Sequence, residues 1–178
     1  MKIELKKISF NERMSEETNC FVADLYINGK KAGYCKNDGR GGCTEYHGNT
    51  KADNVLIREA EAYCKSLSKI RSKTLYFGSL EYDQSLESVI NDLLDAHLKA
   101  KDLERIEKKM HKAYLSAICY GKKVANGYEY ATTFWKGRTL SQIPLQYLQK
   151  AYDDVKAKKL QSGDVILNDN LEALGINL

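Results

Sequence analysis

Apolar and polar positions alternate most cleanly in CFVADLYINGKKAGYC, residues 20–35, where Phe21, Ala23, Leu25 and Ile27 fall on one face and Val22, Asp24, Tyr26 and Asn28 on the other. A period of two is the mark of a strand with one face on a core. Asn28-Gly29 accepts the positive φ angles of a type I′ turn, so the chain is expected to fold back through Ala32, Tyr34 and Cys35. Ile3 to Phe10 reads as a further strand. Its apolar phase slips between Leu5 and Ile8, which predicts a bulge or an edge position.

The period then changes. From about Lys51 to Ile70, Ala52, Leu56, Ala60, Tyr63, Leu67 and Ile70 recur at helical steps, with Asn49 or Thr50 as the cap. Strand character returns from Thr74 to Tyr82, around Leu75, Tyr76 and Phe77. Ser85 is placed to cap a long helix from Leu86 to about Met110, with Leu86, Ile90, Leu93 and Leu94 on its apolar stripe. AYLSAICYG and GYEYATTFWKG, rich in aromatic and small or β-branched residues, predict two strands joined through Gly121 to Gly127. Pro144 suits the first turn of a helix reaching about Leu160, buried through Leu145, Leu148, Tyr152 and Val155 and followed by Gly163. A brief DVIL strand and a short helix opened by Asp169-x-x-Glu172, in the form of a capping box, complete the chain. The pattern predicts one α+β domain over residues 1–178: antiparallel strands, as an amino-terminal hairpin and a later pair, packed with about three main helices. A doubly wound parallel sheet would need a more regular β-α-β alternation.

Composition adds limits. With 43% hydrophobic and 29% charged residues, a 178-residue chain can bury a core without staples. No apolar run approaches the length of about eighteen residues that a membrane helix needs, and Met1 to Lys7 mixes charge with hydrophobe, so no membrane association and a cytoplasmic address are expected. Cys20, Cys35, Cys43, Cys64 and Cys119 are odd in number and scattered, which favours reduced thiols. The net charge is only +4, so any basic surface must be local.

The densest chemistry lies in GYCKNDGRGGCTEYHG, residues 33–48. Cys35, Cys43 and His47, completed by Cys64 or Cys20, are zinc-type ligands, but the Cys35 to Cys43 spacing exceeds the tight pairs of structural zinc knuckles. No cofactor is expected. As an anion site, NDGRGG would offer backbone N–H groups with Lys36 and Arg40 beside them, although it is neither a Walker A loop nor a GxGxxG fingerprint. His97 falls near the helix stripe and reads as a half-buried structural histidine, while Asp92/Asp95 and Asp153/Asp154 read as solvated helix faces. A second candidate surface interleaves Lys108, Lys109, Lys112, Lys122, Lys123, Lys136 and Arg138 with Tyr114, Tyr120, Tyr128, Tyr130 and Trp135. Lysines follow phosphates and aromatic rings stack on bases, although every second aromatic of a strand belongs to a core. The candidate ligand contacts are therefore Lys36, Arg40, His47, Tyr114, Tyr120, Tyr128, Tyr130 and Trp135, without catalytic residues.

ADLYINGKKAGYCKNDGRGGCTEYHG, preceded by MKIELKKISFNERMSEET, resembles the opening of small proteins carried by bacterial phages and other mobile elements. The resemblance covers about the first third of the chain. It implies a bacterial or phage cytosolic setting and an accessory role, exercised by binding: blocking a host defence complex or sequestering its nucleotide signal. The expectation is a non-enzymatic protein whose partner is an anionic small molecule, a nucleic acid or a host protein complex, with homo-oligomerisation left open. The alternative is a metal-assisted hydrolase or nuclease using Cys35, Cys43, His47 and Asp38 or Glu45.

Overall fold

The computed structural model describes the backbone of residues 1–74 and 78–178, and the side chains of 1–69 and 81–178. The chain is α+β and divides into two compact units, Met1–Leu98 and Lys99–Leu178.

The first unit opens with four antiparallel strands in the order β1-β2-β3-β4: β1 (Ile3–Phe10), β2 (Phe21–Ile27), β3 (Lys30–Asn37) and β4 (Glu45–His47). Asn28 and Gly29 turn β2 into β3 with φ of 49° and 80°, the positive values of a type I′ hairpin. The phase slip of β1 is a real bulge: its pairing with β2 shifts between Lys6 and Ser9, and Lys7 adopts φ 51°. Alternation sends Phe21, Ala23, Leu25 and Ile27 of β2 into one core, and β3 joins it with Cys35 and, past a register shift opposite Leu25 and Tyr26, with Ala32.

Helix α1 (Lys51–Lys65) covers that core. Thr50 and Asp53 cap it reciprocally, the Asp53 N–H donating to Thr50 Oγ1 at 3.2 Å and the Thr50 N–H to Asp53 Oδ2 at 2.9 Å. The helix stops short of Ile70. Ser66 ends it, its hydroxyl donating to the Tyr63 carbonyl at 2.7 Å, and Ile70 opens β5 (Ile70–Thr74), which pairs antiparallel with β6 (Gly78–Tyr82). The expected strand character of Leu75, Tyr76 and Phe77 lies outside the described residues. The buried stripe of α1 is Ile57, Ala60 and Cys64, while Ala52 is exposed and Leu56 and Tyr63 are half-buried, so the core line sits about one residue further on than the apolar count suggested. Counting Cys64 as a small hydrophobe corrects it.

Helix α2 (Leu86–Tyr114) continues one turn beyond Met110. Ser85 caps it, accepting from the Ser88 N–H at 3.0 Å. Leu86, Ile90 and Leu94 join the core of the first unit. His97 is exposed, not half-buried, because the stripe has turned away by the time the helix reaches it.

The second unit is built on β7 (Ala117–Val124), β8 (Gly127–Phe134) and the short β9 (Val165–Ile166), antiparallel in the order β8-β7-β9. The join between β7 and β8 is tighter than expected, with β7 running through Gly121 to Val124 and only Ala125 and Asn126 between the strands. One sheet face, with Ile118 and Tyr120, meets Leu148, Tyr152 and Val155 of α3 (Leu145–Lys158); the other, with Ala117 and Cys119, meets Met110 and Tyr114 of α2. Pro144 precedes α3 at φ −56°. Leu145 departs from expectation: in the first turn it reaches the rim over Gly175 and stays half exposed. The capping box at Asp169-x-x-Glu172 does not form; the last 3-10 turn, Glu172–Leu174, starts from Leu171 without a side-chain cap. The tail is held by amides instead, Asn168 Oδ1 accepting from the Cys119 N–H at 2.6 Å and Asn170 Nδ2 donating to the Tyr114 carbonyl at 2.9 Å. Among the described residues no helix is long and apolar enough to cross a membrane.

Candidate functional site

The glycine-rich stretch of the first unit is a closed polar clip. Asn37, the last residue of β3, is buried, and its amide organises the loop: Oδ1 accepts from the Gly39 N–H and the Thr18 hydroxyl at 2.9 Å each, while Nδ2 donates to the Gly42 carbonyl at 2.8 Å and to Thr44 Oγ1 at 3.3 Å. The Gly39 carbonyl in turn accepts from the N–H groups of Glu16, Glu17 and Thr18 at 3.0 to 3.3 Å. Gly39 is required here, since at φ 88° an added Cβ would stand 2.1 Å from the Met14 carbonyl oxygen. Thr44, also buried, donates through its backbone to Glu87 Oε1 at 2.8 Å and through its hydroxyl to Asn91 Oδ1 at 2.7 Å.

An anion cradle needs free N–H groups. Those of Gly39, Arg40 and Gly41 are taken by Asn37, Asp38 and Thr18 respectively, and the Glu17 carboxylate lies against Gly41. The loop presents to solvent the side chains of Asp38, Arg40 and Cys43.

Lys36 and His47 stand on the outer face of the β3–β4 ladder, where Lys36 pairs with Glu45 and Tyr34 with His47. Glu45 lies between them, 3.2 Å from Lys36 Nζ and 3.6 Å from His47 Nε2, and the Tyr34 and His47 rings lie 5.6 Å apart. The Lys36 ammonium holds the Glu45 carboxyl below its usual range, and Glu45 raises the pKa of Lys36. Cys35 points the other way, into the core, with its thiol donating to the Ala23 carbonyl at 3.7 Å. Strand alternation therefore separates Cys35 from His47, and Cys64 is buried within the core. Among the described residues no group of three or more His, Cys, Asp or Glu side chains is placed to hold a metal ion.

The five thiols are unpaired, and burial divides them: Cys43 is exposed and Cys35, Cys64 and Cys119 are buried. A thiol reagent at neutral pH is expected to titrate Cys43 first, Cys20 more slowly, and the other three only on unfolding. Desolvation pushes Cys35 from 9.0 to about 12 and Cys119 to about 11. Between the unfolded value and these the unfolded chain binds fewer protons than the folded one. Stability is therefore full below about pH 9 and falls as pH rises towards the folded values, which urea midpoints at about pH 8 and about pH 10 will show as a decrease.

The second unit holds a different kind of site. Tyr114 and Tyr120 are buried on opposite faces of the β7–β8 sheet and serve its two cores. Tyr128 is half-buried beside Tyr114, with the Lys123 ammonium 5.5 Å from its ring, and Tyr130 is exposed. Trp135 packs partly against the α3 side and also lines a cleft of about 660 Å³ between the end of α2 and the segment that follows β8. Ala113, Ser116 and Ala117 form one wall; Thr132, Phe134, Trp135, Lys136, Arg138 and Gln142 contribute to the other.

Local rules shape this rim. A turn carries the chain from Trp135 to Arg138, the Arg138 N–H donating to the Trp135 carbonyl at 3.1 Å, with Gly137 at φ 72° and open space around it. The Leu140 N–H then donates to the Leu115 carbonyl at 2.8 Å, tying the rim to the end of α2, and Gln142 Oε1 accepts from the Thr139 N–H at 2.9 Å. Two cations and two aromatic rings line the cleft, with hydroxyls from Ser116, Thr132 and Thr139 and, among the described residues, no carboxylate. Cations without a neighbouring acid, beside an apolar ring, suit a ligand that joins an anion to a flat ring.

The expected contacts thus lie in separate units: Lys36, Arg40 and His47 in the first, and Tyr114, Tyr120, Tyr128, Tyr130 and Trp135 in the second. Sequence reasoning missed Phe134, whose ring is 65% exposed at the cleft. The available signal was two adjacent aromatics at a strand end, of which alternation can bury only one. Comparisons with family models, with curated proteins and with solved structures find no significant match.

Proposed function

We propose that this chain is a non-enzymatic accessory binding protein of phage or mobile-element type, and that its second unit takes an anionic ligand bearing a flat ring, a nucleotide or a nucleic-acid segment, in the cleft beside Phe134 and Trp135. The observation that carries the reading is the lining itself: Lys136 and Arg138 face a space walled by two aromatic rings and, among the described residues, by no carboxylate. Phosphate oxygens would meet the two cations, Arg138 offering a planar fork and Lys136 a point charge. The base would lie on Phe134, whose exposure otherwise costs the protein apolar surface in water. The hydroxyl and amide groups of Thr139 and Gln142 are within the same lining and suit sugar or base edges. A cytoplasmic setting, and a role in counteracting host defence by holding a nucleotide signal, go with this reading.

Thermal-shift measurements against panels of mononucleotides, cyclic nucleotides and short oligonucleotides test it. At least one panel member is expected to raise the melting temperature. Replacing Lys136 and Arg138 together by glutamine is expected to weaken that ligand by roughly tenfold per charge removed and to flatten the dependence of affinity on salt by about one phosphate contact for each. No shift with any member at low salt removes the anionic-ligand reading.

A further inference from the structure

We infer, resting on the cleft reading above, that the ligand is a single-stranded nucleic acid laid along one face of β8, from Tyr130 to Phe134, with its phosphates meeting Lys136 and Arg138. The β7–β8 register places Lys123 opposite Tyr128, Gly121 opposite Tyr130, Cys119 opposite Thr132 and Ala117 opposite Phe134. Alternation therefore puts Tyr128, Tyr130, Thr132 and Phe134 on the same side of β8. Tyr128 is claimed by the core around Met110 and Tyr114, but Tyr130 is 46% and Phe134 65% exposed.

Two exposed rings on one face of a strand are a stacking platform, because every base offers a π-face whatever its sequence. Four residues of strand separate Tyr130 from Phe134 by about 13 Å. A mononucleotide is too short to touch both rings and the two cations beyond them; a short strand reaches all four. On this face Lys123, opposite Tyr128, is paired with Glu107 of α2 at 3.4 Å, at the end of the strand remote from Phe134. The one carboxylate of β8, Glu129, belongs to the opposite face, where it is held 3.0 Å from Lys122 Nζ. Duplex DNA keeps its bases stacked on each other, so a platform of this kind selects unpaired strands.

The test uses the full chain and fluorescence anisotropy of labelled oligothymidylate and oligouridylate of about twelve nucleotides, within the usual site-size range. A duplex of equal length and the matching mononucleotides serve as competitors. The single strand is expected to bind at least tenfold more tightly than the mononucleotide and more tightly than the duplex, and the stronger of the DNA and RNA arms names the sugar. Tyr130→Ala and Phe134→Ala are each expected to weaken the oligonucleotide by roughly five- to a hundredfold, with Tyr130→Phe retaining most of the affinity. Equal affinity for mononucleotide and oligonucleotide, with Tyr130→Ala silent, would overturn the inference and leave a nucleotide confined to the cleft. Absence of binding by every probe would overturn the cleft reading itself.

Discussion

Gly121→Ala is expected to destabilise the second unit by roughly 3–5 kcal/mol, the sum of a strained backbone and an overpacked contact. Gly121 lies in the central strand, paired with Tyr130 on one side and Val165 on the other. Its φ is 150°, and a Cβ built there would stand 2.1 Å from the Glu129 carbonyl oxygen and 2.7 Å from the Tyr130 Cα. Both obstacles are backbone, which cannot rotate away as a side chain can. The strand must move, and β8 carries Tyr130 and Phe134 with it. Denaturant unfolding will show the loss. Gly137→Ala is the informative control: no atom lies within 4 Å of its added Cβ, so only the strain of φ 72° remains and the cost should stay near 1 kcal/mol.

The second large effect belongs to the first unit. Asn37→Ala removes an acceptor from the Gly39 N–H and the Thr18 hydroxyl, and a donor from the Gly42 carbonyl and Thr44. A buried polar group left without its partner costs about 1–3 kcal/mol, and two or more are orphaned here, so a loss of roughly 3–5 kcal/mol is expected. Local opening should accompany it. Arg40 sits at the exposed tip of the clipped loop, so trypsin is expected to cut after Arg40 far faster in Asn37→Ala than in the native chain. Equal cleavage rates would mean that Asn37 does not hold the loop.

These two residues also mark how much was legible beforehand. The β2–β3 hairpin was readable because two independent signals agreed, alternation and an Asn-Gly turn, and the bulge of β1 was readable because a bulge is what a phase slip means in a strand. Leu86, Ile90 and Leu94 were readable for the same reason, a period held over several turns. The glycine-rich loop, read as a set of backbone N–H groups offered to an anion, was less legible for a different cause. Its N–H groups are satisfied by Asn37, Asp38 and Thr18, and Thr18 comes from a segment nineteen positions before Asn37, a pairing that no local pattern displays. Cys35 and His47 looked close in sequence, yet the alternation of β3 and its register with β4 put them on opposite faces.

The cleft was half legible. Trp135, Lys136 and Arg138 stood out by type, since an aromatic between basic residues is a binding signature wherever it is exposed. Which of Tyr114, Tyr120, Tyr128, Tyr130 and Phe134 would be exposed depended on what covers each sheet face. That is decided by α2 and α3, packed from either side of the sequence, and so by tertiary structure alone.

Trp135 is the chain's single tryptophan and lies in the cleft lining, so its emission reports on the proposed site without a label. Titration of the native chain at low salt with oligothymidylate and with the matching mononucleotide is expected to give a saturable change in Trp135 fluorescence, displaced by added salt and absent in the Lys136→Gln, Arg138→Gln variant. Emission that stays constant through the titration, or changes equally in the variant lacking both charges, would contradict the assignment of the cleft as an anion-binding site.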